Sequence, residues 1–487
     1  MDKAFFKQAW IVSGILLTML ETGMLLGFTT CLLPALSDPA SPIRASLEQS
    51  SWIAASFSLA WIPGFLSSSY YMDRFGRKVA FLLDIAPSAI GIILMYFSTN
   101  VFCLIAARVL TGLTAGSTSI LGAIIIGEYT SPANRGMFLN LKTAAMYLGS
   151  MIVHLLGYFF HWRTVAILTL IPFILALGII CTWPESPSWL ASMKRFEESE
   201  RAFYSLRGRN DQSTKELKEL IRTQKEQPKT MELTFYYRAL LFFRKFGKRD
   251  FVMPVLTYLF AAVLLETTGR HIFPAYAVQI ISEVSGSQDS FYLTLSLDIL
   301  VTISATFSSI LMRLVKRRTL LFTTGSVAFV VLMAACLDLF LASRNIISSI
   351  PWIPMSLFTI YFVIVNFACA PIPLALIGEI FPLEHRAAST TIAGILVALM
   401  TIIAMKTTPL LMATVKVYGT FVIFGVTMAI SLVFLYFMLP ETKDRTLQEI
   451  EYFYNHGKFR DVNEDDKEAE ANMIQLPQIE IEKEDLS

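Results

Sequence analysis

The stretch LLETTGRHIFPAY, residues 264–276, places a carboxylate, a guanidinium and an imidazole within six positions: Glu266, Arg270 and His271. A carboxylate and a guanidinium can neutralise each other or grip a polar ligand, and an imidazole can exchange a proton near neutral pH. The sequence on both sides is apolar. At the midplane of a bilayer a charge costs at least ~2.5–3.5 kcal/mol, so each group needs a partner or water. Glu266 and Arg270, four apart, share one face of a continuous helix. Two readings stay open: a self-neutralising pair that fixes the helix, or the polar wall of a substrate cavity. Lys406 is an alternative partner for Glu266, which leaves Arg270 to meet an anionic or strongly polar ligand. His271 reads either as a titrating group or as a hydrogen-bonded packing residue.

Further ionisable residues stand in apolar runs. Glu21 carries a proton or makes a structural pair, while Asp298 and His154 read as network residues. Asp84 and Asp338 lie nearer the ends of their runs, within reach of interfacial water. Phe28, Phe273, Tyr276 and Tyr361 either line a pathway or pack as stripes. The phosphate-cradling pattern GxxxxGK[ST] is absent, and no catalytic constellation is present, so bond chemistry is not expected. Five cysteines, Cys31, Cys103, Cys181, Cys336 and Cys369, lie in or beside apolar runs without metal-ligand spacing. No metal and no cofactor is expected.

The elements that must position these groups follow from composition. The 487 residues are 54% hydrophobic and only 16% charged, with a mean hydropathy of +0.57. A soluble protein carries about a quarter charged residues, so this balance reads as a multi-pass membrane protein. A net charge of +2 gives no sign of nucleic-acid binding. Twelve runs are long enough to cross a bilayer, near 9–33, 51–71, 79–98, 101–126, 139–160, 164–183, 252–281, 291–314, 319–342, 352–376, 389–412 and 418–439. They predict an all-α protein with two six-helix bundles, 1–183 and 251–440. A linker with amphipathic helices spans 184–250, and an acidic, mostly disordered tail spans 441–487. The N-terminus reads as a retained first helix. The Lys- and Arg-rich connections DRFGRK, NRG and VKRR place the linker and both termini in the cytoplasm. Trp10, Trp52, Trp162, Trp183 and Trp352 fall near span ends, as an interfacial belt predicts.

The halves repeat one another. YYMDRFGRKVAFLL and ILMRLVKRRTLLFT follow the second and eighth spans, and GEYTSPANRG and GEIFPLEHRAA follow the fourth and tenth. Glu128 precedes Arg135, and Glu379 precedes Arg386, by the same interval. PESPSWL and PETKDRTL close the halves. Parallel repeats of this kind enclose a midplane site and move by rocking. Acids and bases at the cytoplasmic helix ends then form a gate. Each exposed pair is worth about 0–1 kcal/mol, but a network can bias two states a few kcal/mol apart.

These motifs, with ARVLTGLTAG and the PIP at 371–373, resemble the sugar porter group of the major facilitator superfamily, and within it insect-type facilitated trehalose and glucose transporters. The resemblance covers about residues 9–455. It implies the twelve-helix major facilitator fold, alternating access, and gate roles for Asp73, Arg74, Arg77, Glu128, Arg135, Glu185, Glu379, Arg386 and Glu441. The chain departs from the family at Ser188, at Asp444 and in MRLVKRR, where Arg313 stands near the place of an acid. The cavity departs further. The seventh-span glutamines align with Leu265 and Glu266, the asparagine with His271 and the aromatic with Tyr276. The fifth-span glutamine aligns with Thr143, the tryptophan after PIP with Leu374, and the acid of proton-linked members with Thr29. Asn366 and Lys406 complete the cavity candidates.

The expected function is facilitative uptake of a sugar of the glucose or trehalose class across the plasma membrane. A carrier retuned to a charged or other polar solute, and a non-transporting sugar sensor, are the alternatives. Glu21 and His271 are the candidates for proton linkage. The expected partners are a small-molecule solute and the lipid bilayer, with no nucleic acid.

Overall fold

Beside Pro63, Pro172, Pro274 and Pro371 the spans break into paired helices, whereas Pro87, Pro254 and Pro409 sit inside unbroken stretches of helix. The computed structural model describes residues 3–226, 249–285, 290–348, 350–381, 386–443, 445 and 447–459, and every regular element among them is a helix. The first half contains α1 (Lys3–Gly27), α2 (Thr29–Ser37), α3 (Leu47–Leu59), α4 (Trp61–Phe75), α5 (Arg77–Tyr96), α6 (Val101–Tyr129), α7 (Pro132–Phe159), α8 (Trp162–Leu168) and α9 (Leu170–Cys181). After it come α10 (Pro187–Ser192), α11 (Phe196–Arg207) and α12 (Asp211–Glu226). The second half contains α13 (Arg249–Thr267), α14 (Ile272–Ser285), α15 (Ser290–Leu314), α16 (Arg317–Ser343), α17 (Trp352–Phe367), α18 (Pro371–Glu379) and α19 (Arg386–Met438), followed by α20 (Leu447–His456).

A proline ring removes one amide donor and crowds the carbonyl four residues earlier. Pro63, Pro172 and Pro274 each sit just inside a second helix, and the preceding helix ends at Leu59, Leu168 and Thr267. The first, second, sixth, seventh and tenth spans are thus pairs: α1–α2, α3–α4, α8–α9, α13–α14 and α17–α18. The eleventh and twelfth spans share α19, broken at Lys416 (φ 60°, ψ 178°). Among the described residues nine stretches are long and apolar enough to cross a membrane. Thr391–Met438 holds two of the crossings. The second and fifth spans, too polar for that measure, complete the twelve-helix major facilitator fold.

In each half the helices approach closely. A Cβ on Gly23 of α1 would sit 1.9 Å from the Met146 carbonyl oxygen of α7, and one on Gly149 would sit 2.0 Å from that of Leu20. Small residues at such crossings let membrane helices touch backbone to backbone. The halves meet where α7 packs on α15 and α3 packs on α19. Phe102, Trp352 and Phe437 stand exposed on the outside, apolar surface suited to lipid.

Two expectations shift. Trp162 and Trp183 are buried rather than interfacial, Trp183 against Phe81 and Tyr129. In the linker, Trp189, Met193, Phe196, Phe203 and Leu206 recur at roughly helical spacing and predict an apolar face; Phe203 and Leu206 are buried, as is Leu190, but Met193 at the end of α10 is exposed. Gln8 of α1 donates to the Leu206 carbonyl (3.1 Å), which ties α11 to the first span. Residues 227–248 of the linker and most of the acidic tail lie outside the described residues.

Candidate functional site

The site grows from the break in the seventh span. Gly269 adopts φ +81°, a left-handed conformation open to glycine at little cost. Helix α13 ends at Thr267 and α14 begins at Ile272, so Glu266 and Arg270 do not share a helix face. The expected Glu266–Arg270 pair is replaced by another. His271 Nδ1 lies 2.9 and 3.0 Å from the two Glu266 carboxylate oxygens. The Thr401 hydroxyl of α19 donates to the same carboxylate (2.9 Å). Glu266 and His271 are both buried. Trp61, from the other half, sets its ring edge-on to His271 at 5.4 Å.

Arg270 turns the other way. Its guanidinium carbon lies 5.4 Å from the centre of the Tyr147 ring of α7, a cation–π contact across the two halves. Tyr147 donates its hydroxyl to Asn366 Oδ1 of α17 (2.9 Å). Around Arg270, the polar residues Tyr147, Ser150, Asp298, Thr302 and Asn366 line a cavity of about 10 Å³, room for about one water.

The halves are tied at the face away from the basic motifs. Carbonyls in the first turn of α14, beside a kink at Tyr276 (φ −131°, ψ 17°), accept hydrogen bonds from the first span: Thr29 Oγ1 donates to Ala275 (2.9 Å) and Thr30 Oγ1 to Pro274 (2.8 Å). His154 of α7 sits between Pro274 and Asp298 of α15, with Nε2 2.9 Å from the Pro274 oxygen and Nδ1 2.6 Å from Asp298 Oδ2. The carbonyl can only accept, so Nε2 donates and a second proton is shared between Nδ1 and Asp298. Lys406 reaches neither Glu266 nor the cavity around Arg270. It donates to Ser51 of α3 (2.8 Å) and lies 4.1 Å over the Trp52 ring. Nearby, a second cavity of about 200 Å³ lies between Leu33, Ser50, Tyr276, Gln279 and Met412. Tyr276 donates to the Met405 carbonyl (3.1 Å).

At the opposite face each half carries the same charged cluster. In the first half, Arg77 binds both Glu128 oxygens, with Nη2 to Oε1 at 2.7 Å and Nε to Oε2 at 2.8 Å. Ser186 donates to Glu128 Oε2 (2.5 Å), and the Arg77 amide donates to Glu185 Oε1 (2.7 Å). In the second half, Arg317 reaches Glu379 Oε1 (3.3 Å) and Thr442 donates to Glu379 Oε2 (2.5 Å). The Arg317 and Arg318 amides donate to Glu441 (2.9 and 3.0 Å). Glu185 and Glu441 therefore cap the N-termini of α5 and α16, where free amides and the helix dipole favour an anion. Among the described residues, the partners of each Arg–Glu–Glu cluster come from one half and from the linker or tail segment that directly follows it.

The other gate candidates sit around these clusters. Arg135 donates to the Gly127 carbonyl (2.6 Å) and Arg74 to the Tyr70 hydroxyl (2.7 Å). The Asp73 carbonyl accepts from the Trp189 indole (3.2 Å). The side chains of Arg386 and Arg313 lie outside the described residues. Thr143 and Leu374 are half-buried on α7 and α18, outside both cavities. Glu21 faces Ser88 inside the first half rather than the space between halves. Sequence reasoning passed over Lys142, Tyr147, Ser150 and Arg317. Lys142, a lone cation in an apolar run, and Arg317, which stands in VKRR where Arg77 stands in DRFGRK, were both legible.

Comparison with known proteins agrees with this architecture. Residues 10–454 match the family described as Sugar (and other) transporter. The facilitated trehalose transporter Tret1 of Polypedilum vanderplanki is 26% identical over 413 residues, covering 84% of this chain and 80% of that one. That of Bombyx mori is 27% identical over 443 residues, covering 91% and 85%. The xylose transporter XylE from E. coli in its inward open conformation superposes with a TM-score of 0.72 at 20% identity, covering 92% of this chain and 99% of that one. Its partially occluded inward open form gives 0.74 at 17% identity, covering 92% and 100%.

Proposed function

The chain belongs to the Sugar (and other) transporter family, and on that premise we propose that it is a facilitative carrier of a sugar of the glucose or trehalose class. The substrate binds between the halves at the seventh-span break and crosses the plasma membrane as the halves rock. The bundles are 1–183 and 251–440, with the linker 184–250, the tail 441–487 and both termini on the cytoplasmic side. The observation that carries this reading is the bonding of the first and fifth spans to the carbonyls of Pro274 and Ala275 in the seventh span, which closes one face beside a midplane cavity. Arg77, Glu128, Glu185, Arg317, Glu379 and Glu441 then act as the cytoplasmic gate clusters. Asp73, Arg74, Arg135 and Arg386 flank them.

The test is uptake by proteoliposomes holding the full chain. Radiolabelled glucose or trehalose is expected to enter faster than into empty vesicles, to show counterflow, and to need no pH gradient. Uptake no faster than into empty vesicles would falsify the sugar reading. Uptake that vanishes when a pH gradient is removed would overturn the facilitative one.

A further inference from the structure

Among the described residues, the midplane acids and cations do not pair with one another. Each acid beside the break is already engaged: Glu266 by His271 and Thr401, and Asp298 by His154. The cations are not. Arg270 faces the cavity with its Nε buried and without an acceptor, and its contact is the Tyr147 ring. Lys142, five residues before Tyr147 on α7, donates to the Ser119 carbonyl of α6. Among the described residues no carboxylate comes within 4.0 Å of either cation. One belongs to each half, and Arg270 is the one that lines the cavity.

We propose that the central cavity takes an anionic sugar, a polyhydroxylated ring bearing a carboxylate or phosphate, with Arg270 receiving the anionic group. This rests on the sugar-class reading of the same cavity and narrows it. A guanidinium offers paired donors that match the two oxygens of either group. Lys142 adds a second positive charge from the opposite half. Ser150, Thr302 and Asn366 offer neutral donors and acceptors suited to ring hydroxyls. A neutral sugar offers the Arg270 guanidinium only neutral acceptors, whereas an anionic one offers it a charged group.

The experiment compares D-glucuronate, D-glucose 6-phosphate and D-glucose at constant ionic strength. It reads uptake into proteoliposomes and the shift in melting temperature of the purified full chain. At least one acidic sugar is expected to be preferred over glucose by about tenfold, the effect of one charge-assisted contact. Preference for glucuronate alone identifies the carboxylate, for glucose 6-phosphate alone the phosphate, and for both the shared charge. Arg270→Gln is expected to lose the preference and Arg270→Lys to keep part of it. Should Arg270→Gln fail to fold, Lys142→Gln and competition on the wild-type chain decide. Glucose carried or bound as well as either acid, or a preference that survives in Arg270→Gln, overturns the proposal and leaves the sugar reading standing. Failure of all three sugars overturns both.

Discussion

At the scale of single residues, the chemistry of the seventh span is set by which partner each charge finds. Helical spacing pairs Glu266 with Arg270, but the break at Gly269 hands the carboxylate to His271. The buried Glu266–His271 contact then behaves as a unit with Thr401. A double-mutant cycle of Glu266→Ala and His271→Ala is expected to give a coupling energy of about 0.5–3 kcal/mol in melting experiments. Additive effects would show that the contact carries no energy of its own. Of the residues at 266, 270 and 271, Arg270 lines the cavity, and the types of all three were plain in the sequence. Their pairing was not, because it depends on a backbone angle at Gly269 and on Thr401, 135 positions away. The same holds for Glu128. Its nearest motif arginine is Arg135, yet it binds Arg77 from another helix. Spacing exposes repeated motifs, whereas contacts between spans require the packed bundle.

At the scale of elements, two glycines carry opposite demands. Gly269 supplies a backbone angle that an L-residue reaches at a cost of about 1–2 kcal/mol. An added Cβ would also lie 3.1 Å from Phe362. Gly269→Ala is therefore expected to lower stability by about that amount, and a melting temperature equal to wild type would refute the strain argument. Gly23 is helical and unstrained, but its missing Cβ makes room for α7. Gly23→Ala drives a methyl into a backbone oxygen and is expected to cost about 1–3 kcal/mol. Gly178 of α9 has nothing within 4 Å of an added Cβ. There alanine is expected to be neutral or mildly stabilising, as helix propensity favours it over glycine. Equal losses at Gly23 and Gly178 would mean that close helix approach is not the cause. Four of the five broken spans part beside Pro63, Pro172, Pro274 and Pro371, but Pro87, Pro254 and Pro409 lie inside unbroken stretches, so a proline alone does not mark a break. Hydropathy alone merged these pairs into uniform runs, since it measures apolarity and not donors.

At the scale of the whole molecule, the two faces are built on different principles. On one, the Arg77 and Arg317 clusters cap α5 and α16, and among the described residues neither cluster bonds across to the other half. On the other, Thr29, Thr30 and His154 cross from one half to the broken backbone of the other. A rocking carrier must break the second set to open that face and pays for it in the energy difference between the two states. Removing part of the set shifts the equilibrium by the free energy removed. His154 makes two of the crossing contacts, to Pro274 and Asp298, so His154→Ala releases at least one buried hydrogen bond, worth about 1–1.5 kcal/mol. That corresponds to about a tenfold rise in the open population. Ser50 reports it, because it lines the 200 Å³ cavity beside this face and is buried while the face is closed. In a chain whose five native cysteines are replaced, Ser50→Cys is expected to react with a membrane-impermeant maleimide about tenfold faster once His154 is alanine. Asp298→Asn, which keeps an acceptor for the ring, should fall between the two. A labelling rate indifferent to His154 would mean that this face is held shut by apolar packing, and that the polar contacts follow closure without driving it.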